Sequence, residues 1–144
     1  MFGYYAIFQP DSKQGGFVVT FPGLEHGATQ GETLEEAREM ATDLLRCIIG
    51  ELMRRDEPLP RLVKHRGRNY HFISLPALES AKAAFYSAFR ASGIKKAELA
   101  RRIGIPKTNV ERIFDLGHHS RLDQIEAAFR AIGKKIEVKI SDAA

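Results

Sequence analysis

The chain has 144 residues, 44% of them hydrophobic, a net charge of +4 and one cysteine. That length and apolar content fit one ordinary domain or two small ones with a packed core, and they exclude a disordered chain. No apolar run approaches the roughly 20 residues needed to span a bilayer. The N-terminus lacks a charged segment ahead of an apolar one, so a cytoplasmic protein without membrane contact is expected.

Residues 2–9, FGYYAIFQ, are rich in aromatic and β-branched side chains and predict a strand. PDSKQGG (10–16) is dense in turn formers, and FVVTF (17–21) predicts the second arm of a hairpin. After the turn PGLEHG, the short segment ATQG (28–31) is a candidate third strand. TLEEAREMATDLLRCIIGELMRRD (33–56) carries the strongest helical signal. Thr33 and Glu36 form a capping box, acids fill the first turn, and Arg54 and Arg55 occupy the last. Leu34, Ala37, Ala41, Leu44, Leu45, Ile48 and Leu52 recur at helical spacing, one apolar stripe for a sheet to receive. Cys47 lies in this helix and is expected to be a buried small hydrophobe. A proline- and arginine-bearing loop (57–68) precedes NYHFISL (69–75), which alternates as a strand.

Pro76 marks the expected boundary between residues 1–75 and 76–144. Four helices follow, three of them ending at Gly93, Gly104 and Gly133, and KKIEVKI alternates as a terminal strand. The expected fold is thus α+β: a β-β-β-α-β domain, then an all-α domain with one β-strand at its end.

Within the second domain, KKAELARRIGIPKTNVERIFD fits a helix-turn-helix. Ala100 is the small residue of the first helix, Gly104 tolerates positive φ in the turn, and Val110 anchors the second helix, with Leu99, Ile103 and Ile113 completing the inner set. The outward residues Lys107, Thr108, Asn109, Glu111 and Arg112 then meet base edges, as Lys and Arg can donate to guanine and Asn can pair with adenine. Lys96, His118 and Arg121 are flanking candidates for DNA contact, chiefly to phosphate. Operator DNA read by a homodimer or higher homo-oligomer is the expectation. The terminal strand, lacking a hairpin neighbour, either pairs with its twin or returns to the edge of the N-terminal sheet.

Charge separates the two parts. Residues 1–60 carry ten Asp/Glu against five Lys/Arg, whereas residues 76–144 carry thirteen Lys/Arg against eight Asp/Glu. A basic surface suits nucleic acid and an acidic one a basic protein. The β-β-β-α order resembles the start of the ribonuclease H fold, but the first strand has no Asp or Glu for two-metal cleavage. His118 and His119 lack companion ligands at metal spacing, and neither KQGG nor HRGR stands between a strand and a helix. No catalytic residue, metal or cofactor is expected.

Together, YAIFQPDSKQGGFVVTFPGLEHGATQGETLEEAREMATDLL and KAELARRIGIPKTNVERIFDLGHHSRLDQIEAAFRAIGKKIEVKI resemble the HicB antitoxin family, in its branch with a C-terminal Cro-type helix-turn-helix. The aromatic strand ending in Pro-Asp, the G-G-F strand ending in Phe-Pro-Gly, the T-x-G turn and the Glu-Glu-Ala helix start carry the first half of that resemblance. LPRLV (59–63) departs from the second proline and small residue that the family often has there. The resemblance implies an antitoxin whose partial, inert ribonuclease H-like domain blocks the RNA-cleaving toxin HicA, and whose C-terminal domain represses the operon. Candidate toxin contacts are Phe17, Phe21, Leu24, Glu25 and His26, around the turn after the second strand. A one-component regulator sensing a small molecule is the alternative reading.

Overall fold

Alternation decides the first layer. In the computed structural model, which describes residues 1–24 and 27–143, β1 (Gly3–Pro10) buries Tyr4, Ala6 and Phe8 and turns Tyr5, Ile7 and Gln9 the other way. β2 (Phe17–Thr20) pairs antiparallel with β1, and β3 (Thr29–Gly31) pairs antiparallel with β2. The fourth described strand, β4 (Tyr70–Ser74), returns to the free edge of β1 with Tyr5 opposite Phe72, giving the order β3-β2-β1-β4.

The β1–β2 turn is held by Asp11. Its carboxylate accepts from the backbone N–H groups of Lys13 and Gln14 at 2.9 and 3.2 Å, and its own N–H donates to the Gly16 carbonyl at 2.9 Å. Gly16 has φ +73°, and a Cβ there would lie 2.3 Å from the Gly31 carbonyl oxygen. The turn therefore rests directly on β3.

Helix α1 (Leu34–Arg54) begins where its sequence says it should. Thr33 Oγ1 accepts from Glu36 N–H at 3.1 Å, and the Glu36 carboxylate reaches back to Glu32 N–H at 2.8 Å. Ala37, Ala41, Leu45, Ile48, Ile49, Leu52 and Met53 enter the core against the sheet. The stripe is rotated slightly from the expected one: Leu34 is exposed, Leu44 is half-buried, and Ile49 and Met53 take inner places. The same rotation leaves Cys47 exposed rather than buried, because it falls outside the arc facing the sheet.

After Pro76, the N-cap of the next helix, come α2 (Ala77–Ser92), α3 (Lys96–Ile103), α4 (Lys107–Ile113) and α5 (Leu122–Ala131). Phe85 is fully buried and meets the rings of Phe89, Phe114 and Phe129 at centroid separations of 5.2 to 5.9 Å. The buried cluster is continuous from the sheet to α5. Polar ties reinforce the junction: Arg46 on α1 donates from Nε to both Glu79 oxygens at 3.0 and 2.9 Å, Tyr86 Oη donates to the Glu57 carbonyl at 2.7 Å, and Arg90 pairs with Asp56 at 2.5 Å. The Glu79 bond, with the carboxylates of Glu79 and Asp43 nearby, raises the Arg46 pKa.

The expected terminal strand is not formed. Residues 134–143 have no ladder partner; Ile136 is half-buried, while Val138 and Ile140 stand 73% and 87% exposed. Nor do these residues join the free edge of the sheet. They run beside Met1 and Phe2, lining an apolar groove with Ala81, Leu122 and Phe129. A strand exists through its neighbour, and the described residues supply none.

Candidate nucleic-acid interface

The connection from α3 to α4 is built as its residue types require. Gly104 caps α3 with φ +77° and donates its N–H to the Ala100 carbonyl at 2.8 Å. Leu99 and Val110 have no exposed surface and Ile113 has 2%, so the two helices meet through apolar side chains. Pro106 is the N-cap of α4, where its missing N–H deprives no acceptor.

This packing turns Lys107, Thr108, Glu111 and Arg112 to the surface, with Asn109 half-buried beside them. Lys107 and Arg112 form no ion pair with any described residue, so both charges face solvent uncompensated. Lys96 and Glu111 stand at the surface but are not free. They pair with each other at 2.9 Å, and Lys96 Nζ also lies 4.7 Å from the centre of the Phe114 ring. That bond spends the outward charge of both on joining α3 to α4. Arg101 and Arg102 are likewise held by Glu98, whose pKa these hydrogen bonds lower to about 2. Arg121 is exposed and paired with Asp123 at 2.8 Å. His118 is half-buried, its Nδ1 3.1 Å from Ser120 Oγ.

The residue that sequence reasoning missed is Lys82. It sits on α2 with no exposed surface, and its Nζ donates to the carbonyls of Arg112, Asp115 and His118 at 3.0, 2.6 and 2.6 Å. An ammonium has three protons, and each finds one acceptor. Burial pushes the Lys82 pKa down, opposed by the carboxylates of Asp115 and Glu79. The cation also lies at the negative end of α4. In sequence, Lys82 is one lysine in an alanine-rich helix, and only its position on the inward face with Ser80, Ala83 and Phe85 hinted at burial.

The candidate contacts of the N-terminal half divide. Phe21 and Leu24 are only 3% and 8% exposed, so they anchor the turn from within and offer no contact surface. Apolar side chains flanking a turn serve the core first. Phe17 is half-buried, and Glu25 and His26 lie outside the described residues. The surface acids gather elsewhere: Glu32, Glu35, Glu36 and Glu39 are exposed at the start of α1, next to the turn that holds Asp11. Between α1 and α4 lies a cleft of about 540 Å3 lined by Cys47, Gly50, Lys96, Phe114 and Leu116. Among the described residues, no group of three or more His, Cys, Asp or Glu is placed to share a metal ion, and no helix is long and apolar enough to cross a membrane.

A family model described as a HicB-like antitoxin of bacterial toxin–antitoxin systems matches residues 3–84, which are the sheet, α1 and the first half of α2. The chain belongs to the HicB-like antitoxin family. Antitoxin HicB of Escherichia coli (strain K12) is 34% identical over 134 residues, covering 93% of this chain and 96% of that protein. Antitoxin HicB 1 of Photorhabdus laumondii is 34% identical over 136 residues, covering 94% and 86%. A chain from a toxin–antitoxin complex of Streptococcus pneumoniae superposes with a TM-score of 0.46 at 20% identity, over 76% of this chain and 93% of that one. These HicB relatives are named as antitoxins, and this HicB-like chain is an antitoxin and not an enzyme. Glu79 and Lys82 fall inside the region matched to the HicB-like family, although the carbonyls that Lys82 holds lie beyond it.

Proposed function

We propose that this HicB-like antitoxin neutralises an RNA-cleaving toxin of the HicA type through residues 1–75, and represses its own operon through a helix-turn-helix formed by α3 and α4 within residues 76–144. The observation that carries the DNA reading is α4 itself: a short helix clamped at its C-terminal end by Lys82 and presenting the side chains of Lys107, Thr108 and Arg112 outward, none of them bonded to a described residue. A rigid helix with unpaired donors suits the major groove. For the toxin, a protein that grips RNA is basic, and the exposed acids at the start of α1 complement it. The N-terminal half acts here as a ribonuclease H-like scaffold without catalysis. Two copies pair through residues 134–140, where Ile136, Val138 and Ile140 alternate and lack a strand partner. Both partners assign the protein to the cytoplasm.

The Arg112→Ala, Asn109→Ala double variant is expected to lose at least about tenfold in operator affinity, since each base contact contributes about 1–3 kcal/mol. Mobility shift measures this, and rescue of growth on co-expression with the toxin should be unchanged. Loss of both together would mean that the two activities share one surface. The reverse separation is expected for Glu35→Lys with Glu39→Lys: toxin rescue fails while the operator shift persists. If rescue survives both charge reversals, the acidic face is not where the toxin docks.

A further inference from the structure

Helix α1 covers one face of the sheet. The other face, carrying Tyr5 and Ile7 of β1 with Tyr70 and Phe72 of β4, has no helix packed on it among the described residues. Phe72 is 38% exposed, Tyr5, Ile7 and Tyr70 are half-buried, and the Tyr5 and Phe72 rings stand 5.3 Å apart edge to face. The loop before β4 reaches onto this face: His65 stacks on Tyr70 at 4.9 Å with the rings 5° from parallel, and its ring centre lies 6.4 Å from that of Tyr5. The neighbours of His65 in that loop are Arg61, Lys64, Arg66 and Arg68, all exposed and none paired with a described acid. The described strands themselves contain no Asp, Glu, Lys or Arg.

We propose that this open face binds single-stranded RNA, with bases stacking on Tyr5 and Phe72 beside the His65–Tyr70 pair and phosphates meeting the Arg61–Arg68 loop. An aromatic face flanked on its β4 side by unpaired cations is complementary to a strand whose bases are flat and whose backbone is anionic. A basic toxin would meet this loop as a like charge, and a second copy would bring an identical basic loop against it. The hydroxyls of Tyr5 and Tyr70 form no hydrogen bond with described residues, and Gln9 and Ser74 lie on the same face. These groups can meet the 2′-hydroxyls that distinguish RNA from DNA. This face lies on the side of the sheet away from α1, whose acidic start is the surface proposed above for the toxin, and it does not include α4.

The test uses the full chain and a fluorescent mixed-sequence 12-nucleotide RNA in an anisotropy titration, beside the same sequence as single-stranded DNA and as duplex DNA lacking the operator. RNA is expected to bind more tightly than either DNA. The Tyr5→Leu, Phe72→Leu variant, which keeps apolar bulk, is expected to bind the RNA at least about tenfold more weakly. Arg66→Ala with Arg68→Ala is expected to flatten the slope of log affinity against log salt by about 1.4. Lys107→Ala with Arg112→Ala should leave RNA affinity unchanged. Should the leucine variant fail to fold, the two arginine substitutions on the exposed loop decide alone. The proposal is overturned if RNA binds no better than duplex, or if the α4 substitutions rather than the loop substitutions abolish binding. It is also overturned if the face variants leave RNA affinity intact while changing the oligomer mass or losing co-purified toxin, which would make the face a protein interface.

Discussion

Replacing Lys82 with methionine is expected to destabilise the protein by about 3 kcal/mol and lower its melting temperature by roughly 10 °C, although the substitution preserves bulk and touches no exposed surface. The reason is the carbonyls it abandons. Arg112, Asp115 and His118 each direct a carbonyl oxygen at one ammonium, and a hydrogen bond from a charged donor contributes about 1.5–3 kcal/mol, less than additively when three share one atom. The apolar contacts of methionine return part of that loss. Ser120 Oγ, 3.4 Å from the Arg112 carbonyl, is too distant to replace the lysine. The consequence for function follows from position. Lys82 fixes the end of α4 and the turn after it relative to α2, which Glu79 and Arg46 fasten to α1. Operator affinity is therefore expected to fall about tenfold at temperatures where the variant remains folded, with toxin rescue retained. Arginine does not restore it, because a planar guanidinium spreads its donors where an ammonium converges them. Thermal melts and mobility shifts of Lys82→Met and Lys82→Arg check this; stability within about 0.5 kcal/mol of wild type would show that the three bonds do not hold α4.

Gly31→Ala is expected to be comparably severe, about 3 kcal/mol, for a steric reason. A Cβ at Gly31 would lie 2.4 Å from the Ala37 nitrogen and 2.6 Å from its Cα, both backbone atoms of α1 that no rotamer change can move aside. The strand and helix would have to separate, and with them the β1–β2 turn, since Gly16 packs on the Gly31 carbonyl. The informative comparison is Gly15→Ala. Gly15 has φ +76° but open space around the missing Cβ, so only backbone strain of about 1–2 kcal/mol is expected. Melting temperatures should rank wild type above Gly15→Ala above Gly31→Ala. Equal losses at the two positions would mean that the close approach of β3 to α1 relaxes at little cost. Because the acidic start of α1 follows this contact directly, Gly31→Ala is also expected to weaken toxin rescue more than operator binding.

Elements with a local cause were legible in the sequence. Thr33 and Glu36 announced the start of α1, and both cap bonds are present. Gly104 announced the end of α3. Aromatic and β-branched content in FGYYAIFQ and alternation in NYHFISL announced β1 and β4, although only the register showed them as neighbours. Legibility failed where a residue's role depends on what faces it. Phe21 and Leu24 resembled contact residues because they flank a turn, yet the core takes them. Lys96 and Glu111 were assigned outward places one at a time, and only the approach of α3 to α4 pairs them. KKIEVKI has the pattern of a strand, but pattern does not supply a partner.

Taken alone, then, the sequence determined the order of the described elements, the capping of α1, the separation of acidic and basic halves and the resemblance to HicB antitoxins. Those properties reside in residue types and short spacings, which a linear reading preserves. The tertiary structure decided that Lys82 is an internal clamp and not a surface charge, that Gly31 is the contact between sheet and helix, and that one aromatic face of the sheet is left open beside a basic loop. Each of these depends on distances between residues far apart in the chain: Lys82 reaches carbonyls 30 to 36 positions away. Hydrogen bonding and steric exclusion act across such distances only after the chain has folded, so no local pattern records them.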